Sequence, residues 1–377
     1  MLRHLDGVVS PWAAASPFGL DAGGCPEPEE IPVLAEAGAK WLRVDCPAQA
    51  VARPDGGWTV PPEFARGIEA CHEADIQALG VLAYGESSRA GKAVALVAPP
   101  TAQQLAAYAD YVGATVGRLR EWTKHWELRS AAREPARRTP PPFPDAYLEV
   151  LRAGCRAAKS ADPGCTLIGS VSAAGRACIE RLLALGGAEH MDALLVEVDG
   201  GRAEEEFGEA LEAVSRLARA QSHALSVWVA VGESGPAPAA VEGLVRLCLL
   251  GLAGGAERVF WPGFRGDGPT SLIGADLTLQ PPYAAYRTMT RLLEGAECRG
   301  PMSAPHGVRA IAFAKHRQEL LAFWALEGVA EVELLGTDIL RWDVAGHASR
   351  IAHGPIHVAV GASPIYAVGH SLRLASR

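Results

Sequence analysis

Short apolar runs alternate with stretches of helical periodicity along residues 1–300. The run at 227–231, Val-Trp-Val-Ala-Val, is apolar at every position. That predicts a strand covered on both faces, as in a parallel sheet flanked by helices. Runs of the same kind stand at 16–21, 40–45, 76–84, 125–128, 166–171, 191–199 and 258–261. Apolar residues recur at helical spacing over 31–39, 62–73, 101–123, 146–160, 176–186, 204–222, 238–254 and 283–293. Thr101 and Asp145 are placed as N-caps, and Pro32 falls in a first turn, where the missing N–H is tolerated. The eight strands, each followed by a helix or a long loop, occupy about 285 residues. This predicts an α/β fold of the (β/α)8 TIM barrel type, for which about 250 residues is typical. No strand leads into a Gly-rich phosphate loop, which argues against a nucleotide-binding sheet.

After Gly300 the pattern changes. Short strands are predicted at 308–313, 320–324, 329–335, 339–344, 355–360 and 364–368, with turns and no helices between them. The expectation is a small antiparallel β-sandwich over 301–377, packed against a barrel of 1–300. Ile311, Phe313, Leu321, Phe323, Val332 and Leu334 are its expected inner faces.

Composition narrows the function classes. The chain is 49% hydrophobic and 21% charged, within the globular range, and its net charge of −8 carries no nucleic-acid footprint. Basic residues cluster only locally, at 133–138 beside prolines, as in a solvated loop. The eight cysteines form no C-x-x-C and no His/Cys metal spacing, and His353 and His357 share a strand face without further ligands. Neither a metal nor a cofactor is expected. No apolar run reaches the roughly 18 residues of a membrane span. Residues 1–17 lack the apolar core of a signal peptide, so a cytoplasmic location is the default expectation. The oligomeric state is left open.

One barrel strand ends in a candidate reactive group. Gly232-Glu233-Ser234-Gly235 breaks the 227–231 strand and leaves a carboxylate at its C-terminal tip, where ligands gather in α/β barrels. The turn is not a nucleophile elbow, because G-x-S-x-G requires one more residue before its second glycine.

Several stretches together resemble the retaining glycoside hydrolases that carry glutamates on barrel strands 4 and 7 and a C-terminal β-sandwich. Val231-Gly232-Glu233-Ser234-Gly235 is similar to their strand-7 V-G-E-F-G, which holds the nucleophile. Gly38-Ala39-Lys40-Trp41-Leu42-Arg43-Val44-Asp45 resembles their strand 2, with Arg43 facing the site. Leu79 to Gly85 looks like their strand 3. Trp126-Glu127 followed by Arg133-Glu134-Pro135 looks like a distorted strand-4 W-E-x-W-N-E-P. Phe260-Trp261 and 280–286 look like their strand 8 and final helix, and 343–346 and 363–366 their sandwich.

The resemblance implies a carbohydrate ligand and a retaining mechanism with Glu233 as nucleophile and Glu134 as acid/base. Glu134 precedes Glu233 by 99 residues, and three βα units take roughly 95. This alignment needs about three inserted residues after Trp126-Glu127. Without them Ala131 stands at the acid/base position, and the chain is a glycan-binding or partner-binding barrel that no longer hydrolyses. In either alignment the asparagine that precedes the acid is replaced, by Arg133 or by Ser130. Substrate contacts are expected from Arg43, Tyr84, Arg133, Glu197, Asp199 and Trp261, with Tyr84 and Trp261 as aromatic platforms and Arg43 lowering the nucleophile's pKa. Glu197 and Asp199 stand where the relatives often carry His and Tyr, making the rim more acidic. Glu127, roughly 13 Å below the strand tip at 3.3 Å per residue, reads as a structural, hydrogen-bonded carboxylate.

Overall fold

The computed structural model describes residues 16–46, 48, 57–84, 99–129, 144–172, 176–200, 204–221, 225–232, 240–353 and 355–376. Eight parallel strands close into a barrel in chain order: β1 (Phe18–Gly23), β2 (Trp41–Asp45), β3 (Gln77–Ala83), β4 (His125–Arg129), β5 (Thr166–Ser172), β6 (Ala193–Asp199), β7 (Ser226–Gly232) and β8 (Arg258–Trp261). Strand β8 returns to β1 through Gly19↔Phe260. The helices among the described residues include α1 (Ile31–Glu36), α2 (Pro62–Glu73), α3 (Ala102–Leu119), α4 (Pro144–Ala161), α5 (Arg176–Ala184), α6 (Glu204–Gln221), α7 (Ala240–Ala253) and α8 (Pro281–Leu293). A 3-10 turn, Gly187–His190, precedes β6.

Local chemistry explains several boundaries. Thr101 caps α3 in a full capping box with Gln104, as its sequence position predicts. Helix α4 begins at Pro144, so Asp145 lies within its first turn, where its charge favours the helix N-terminus. Buried tyrosine hydroxyls tie helices to strand backbones: Tyr108 of α3 donates to the Leu82 carbonyl at 2.9 Å, and Tyr147 of α4 to that of Leu128 at 2.5 Å. The Ser170 N–H donates to the same Tyr147 oxygen at 2.7 Å. The ladder between β4 and β5 runs from His125↔Thr166 to Leu128↔Gly169, and the tyrosine oxygen bridges the two strands at its upper end.

Strands β9 (Glu297–Pro301), β10 (Val308–Lys315), β11 (Gln318–Ala325), β12 (Ala330–Trp342), β13 (Ala348–His353), β14 (Ile356–Val360) and β15 (Ile365–Ser376) form the antiparallel C-terminal unit. The long β12 pairs with β15 along one edge, and with β14 and then β13 along the other. The barrel with a C-terminal β-sandwich is therefore present. The sandwich's inner faces differ in detail from the sequence expectation. Leu321, Phe323, Val332 and Leu334 do face its own core, together with Val308, Ala310 and Val358. Ile311 and Phe313 instead join Leu320, Ala322, Trp324 and Tyr366 in the barrel's cluster. Both faces of β10 and β11 are covered, so their alternation sorts residues between two cores and not between core and water.

Candidate functional site

Alternate strand residues point into the barrel and stack in layers. The floor, at the N-terminal strand ends, consists of Trp41, His125, Trp228 and Arg258. Trp41 meets His125 and Trp228 edge-on, with centroids 4.7 and 5.2 Å apart, and the Arg258 guanidinium lies 5.0 and 5.7 Å from the two indoles. Burial lowers the His125 pKa to about 4, and the Arg258 charge adds to the effect. Above the floor, Leu79, Ile168, Leu195, Ala230 and Phe260 fill the interior. Glycine at 19 is required here, since a Cβ would sit 2.6 Å from the Phe260 ring and 2.9 Å from the Trp41 Cβ.

The next layer, toward the C-terminal mouth, is charged. Arg43 of β2 is 1% exposed and bonds three carboxylates. Its Nε and Nη2 fork onto Glu127 of β4 at 2.6 Å each, Nη1 donates to Asp21 of β1 at 2.6 Å, and Nη2 also reaches Glu197 of β6 at 3.0 Å. Arg129, at the tip of β4, shares Glu197, with Nη2 3.0 and 3.3 Å from its two oxygens. Burial opposes charge on both Arg43 and Glu127, and their mutual attraction overcomes it. Arg43 is held well above its ordinary pKa by Glu127, Asp21 and Glu197. Glu127 is held below the usual carboxylate range by Arg43, with Arg129 and the Ser170 hydroxyl assisting. The bidentate fork is the geometry in which an arginine–carboxylate pair is strongest.

Arg43, Glu197 and Asp199 thus face the interior of the barrel near its mouth, with Asp199 in register with Gly232, the last residue of β7. Glu127 is a fully buried, hydrogen-bonded carboxylate. Tyr84 and Trp261 lie at strand ends but take the opposite side-chain parity. Tyr84 is 4% exposed and packs edge-on against Tyr108 at 5.6 Å. Trp261 is 1% exposed, pairs with the outward Leu20, and donates its indole N–H to the Thr270 carbonyl at 3.0 Å. Neither presents a ring face to the mouth, because each sits one residue out of step with the inward series. Glu233, Glu134 and Arg133 lie outside the described residues. Sequence reasoning missed Asp21 and Arg129. Counting in twos from Glu127 would have found Arg129.

Neither a protein-family model nor a curated protein sequence matches this chain. Solved structures do. A family 39 glycoside hydrolase from Bacteroides cellulosilyticus superposes with a TM-score of 0.78 at 18% identity, over 95% of this chain and 82% of that one. A family 30 endoxylanase from Clostridium papyrosolvens gives 0.70 at 12%, over 94% and 96%. A family 51 arabinofuranosidase from Xanthomonas axonopodis gives 0.57 at 12%, over 95% and 96%. At such identities the likeness is one of fold: this chain shares the eight-stranded barrel and C-terminal β-sandwich of these glycoside hydrolases.

Proposed function

We propose that this protein binds a saccharide at the C-terminal mouth of its barrel and cleaves O-glycosidic bonds with retention of configuration. Glu233 is the nucleophile. Glu134 protonates those leaving oxygens that need a proton and then activates water. The observation that carries this reading is the register of β7. The strand ends at Gly232, beside Asp199, and Glu197 two residues below is already bonded to Arg43 and Arg129. Glu233 follows Gly232 directly in sequence, which supports a reactive carboxylate at the C-terminal end of the barrel, where catalytic groups gather.

A second reading, saccharide binding without hydrolysis, is favoured by β4. That strand runs in unbroken register with β3 from Leu79↔His125 to Ala83↔Arg129. The inserted residues that would bring Glu134 into the acid/base position must then all lie beyond Arg129. A panel of aryl glycosides separates the readings when tested with wild type, Glu233→Gln and Glu134→Gln. Retaining hydrolysis is supported if wild type turns over and Glu233→Gln does not. Turnover indifferent to Glu233→Gln would sink it. No turnover on any substrate, with saccharide binding seen by calorimetry, leaves the binding protein.

A further inference from the structure

The acid/base side of the mouth holds an arginine with donors to spare. Arg129 faces inward two residues after Glu127, and its side chain is 12% exposed. Nη2 is engaged by Glu197, and among the described residues no hydrogen bond engages Nε or Nη1. Arg43, by contrast, commits every nitrogen to Asp21, Glu127 or Glu197. The Arg129–Glu197 pair spans from β4 across β5 to β6, and Glu197 is in register with Ala230 of β7. The guanidinium thus reaches from the leaving-group side of the proposed site to within one strand of β7. Beyond Arg129 the chain reads Ser130-Ala131-Ala132, none of them an acid.

We propose that Arg129 receives the departing oxygen, and that the substrates are glycosides whose aglycone is itself acidic, a phenol or a carboxylic acid. The proposal rests on the reading of Glu233 as nucleophile. The Glu233 carboxylate attacks the anomeric carbon, the bond from that carbon to the aglycone oxygen breaks, and its electron pair leaves with the aglycone as phenolate or carboxylate. Water then attacks the anomeric carbon, the bond to Glu233 breaks, and the water's proton passes to Glu134 or to solvent. Glycoside and water give sugar, ionised aglycone and a proton. A phenol ionises near pKa 10, as tyrosine does, so it departs without protonation. An alcohol, a far weaker acid and close to water in this respect, does not.

The cluster's charge narrows the class further. Asp21, Glu127 and Glu197 against Arg43 and Arg129 leave one negative charge in excess. A leaving group already anionic, such as phosphate, meets that excess on entry. A neutral phenolic or acyl glycoside acquires charge only in the transition state, where fixed N–H donors act on it selectively.

The test uses methyl, phenyl and para-nitrophenyl glycosides of xylose, arabinose and glucose with the full chain. The expected order of release is para-nitrophenyl over phenyl, with the methyl glycosides slower by orders of magnitude. For the cleaved substrate kcat/KM rises once with pH and then stays level, because no group must remain protonated. Arg129→Met lowers kcat on the para-nitrophenyl glycoside about 100-fold, the size seen on removing one oxyanion donor, with KM little changed, and Arg129→Lys recovers part of it. Methyl glycosides cleaved at comparable rates with a bell-shaped pH profile would overturn the leaving-group inference while the glycosidase reading stood. No release from any of the wild-type reactions would overturn both. The leaving-group series is read on the wild type, so it stands whether or not the variants fold.

Discussion

Arg43 is the residue on which the barrel's charged layer depends. Its fork onto Glu127 is buried on both sides, and truncating one member of such a pair leaves the other's charge without its partner. Glu127→Ala is expected to destabilise the fold by about 3–5 kcal/mol, read as a lowered urea midpoint with unchanged slope. Two buried barrel groups, His125 and Glu127, set an acid limit. His125 titrates near 4 when folded and near 6.5 when unfolded, so the unfolded chain binds more protons between those values. Stability is full above pH 6.5 and is lost as pH falls toward 4, by roughly 3 kcal/mol. Glu127 adds a second loss lower down: its folded pKa is depressed, so its contribution is present above the ordinary carboxylate value and disappears as pH falls through the folded one. His125→Phe should flatten the first window in urea titrations and leave the second. The structural role of Glu127 was legible from its depth in the strand. The sharing of Arg43 among three acids was not, because Asp21, Glu127 and Glu197 lie on strands far apart in sequence.

Among the elements, β4 and β5 carry the most consequential detail. The hydroxyl of Tyr147 accepts from the Ser170 N–H and donates to the Leu128 carbonyl. Tyr147→Phe removes both bonds and leaves buried backbone groups unsatisfied, at about 1–3 kcal/mol. Amide exchange of Ser170 should quicken by one to two powers of ten, while that of Leu195 on β6 stays slow. Strand positions were legible because fully apolar runs leave little choice of element. Their facing was less so. With both sides of every barrel strand buried, Tyr84 and Trp261 give no polarity cue to which side they take, and only the pairing register assigns them outward. Strands β10 and β11 hid their two-sided burial for the same reason.

For the whole molecule, the sandwich completes the barrel's core. Trp324 and Tyr366 belong to the barrel's cluster, and Glu204 of α6 accepts from Arg246 at 2.7 Å, from Arg309 at 3.4 Å and from the Trp324 indole at 3.1 Å. The Ser363 hydroxyl adds a bond to Glu242 of α7 at 2.7 Å. A chain ending at Gly295 exposes that apolar face, and the expected outcome is aggregation or a molten barrel by near-ultraviolet dichroism, not an independently folded domain. At this scale the two-part architecture was readable from the switch in pattern after Gly300. The contacts across the seam were not, because they pair residues more than a hundred positions apart, as Trp324 with Glu204.

The indole-and-arginine floor, with the filled layer above it, makes the barrel a blind alley. On the proposed reading, a sugar entering at the mouth finds no exit through this floor among the described residues, so incoming ligand and outgoing product must take turns at one doorway. Turnover would then be throttled by departure wherever the freed sugar is held tightly.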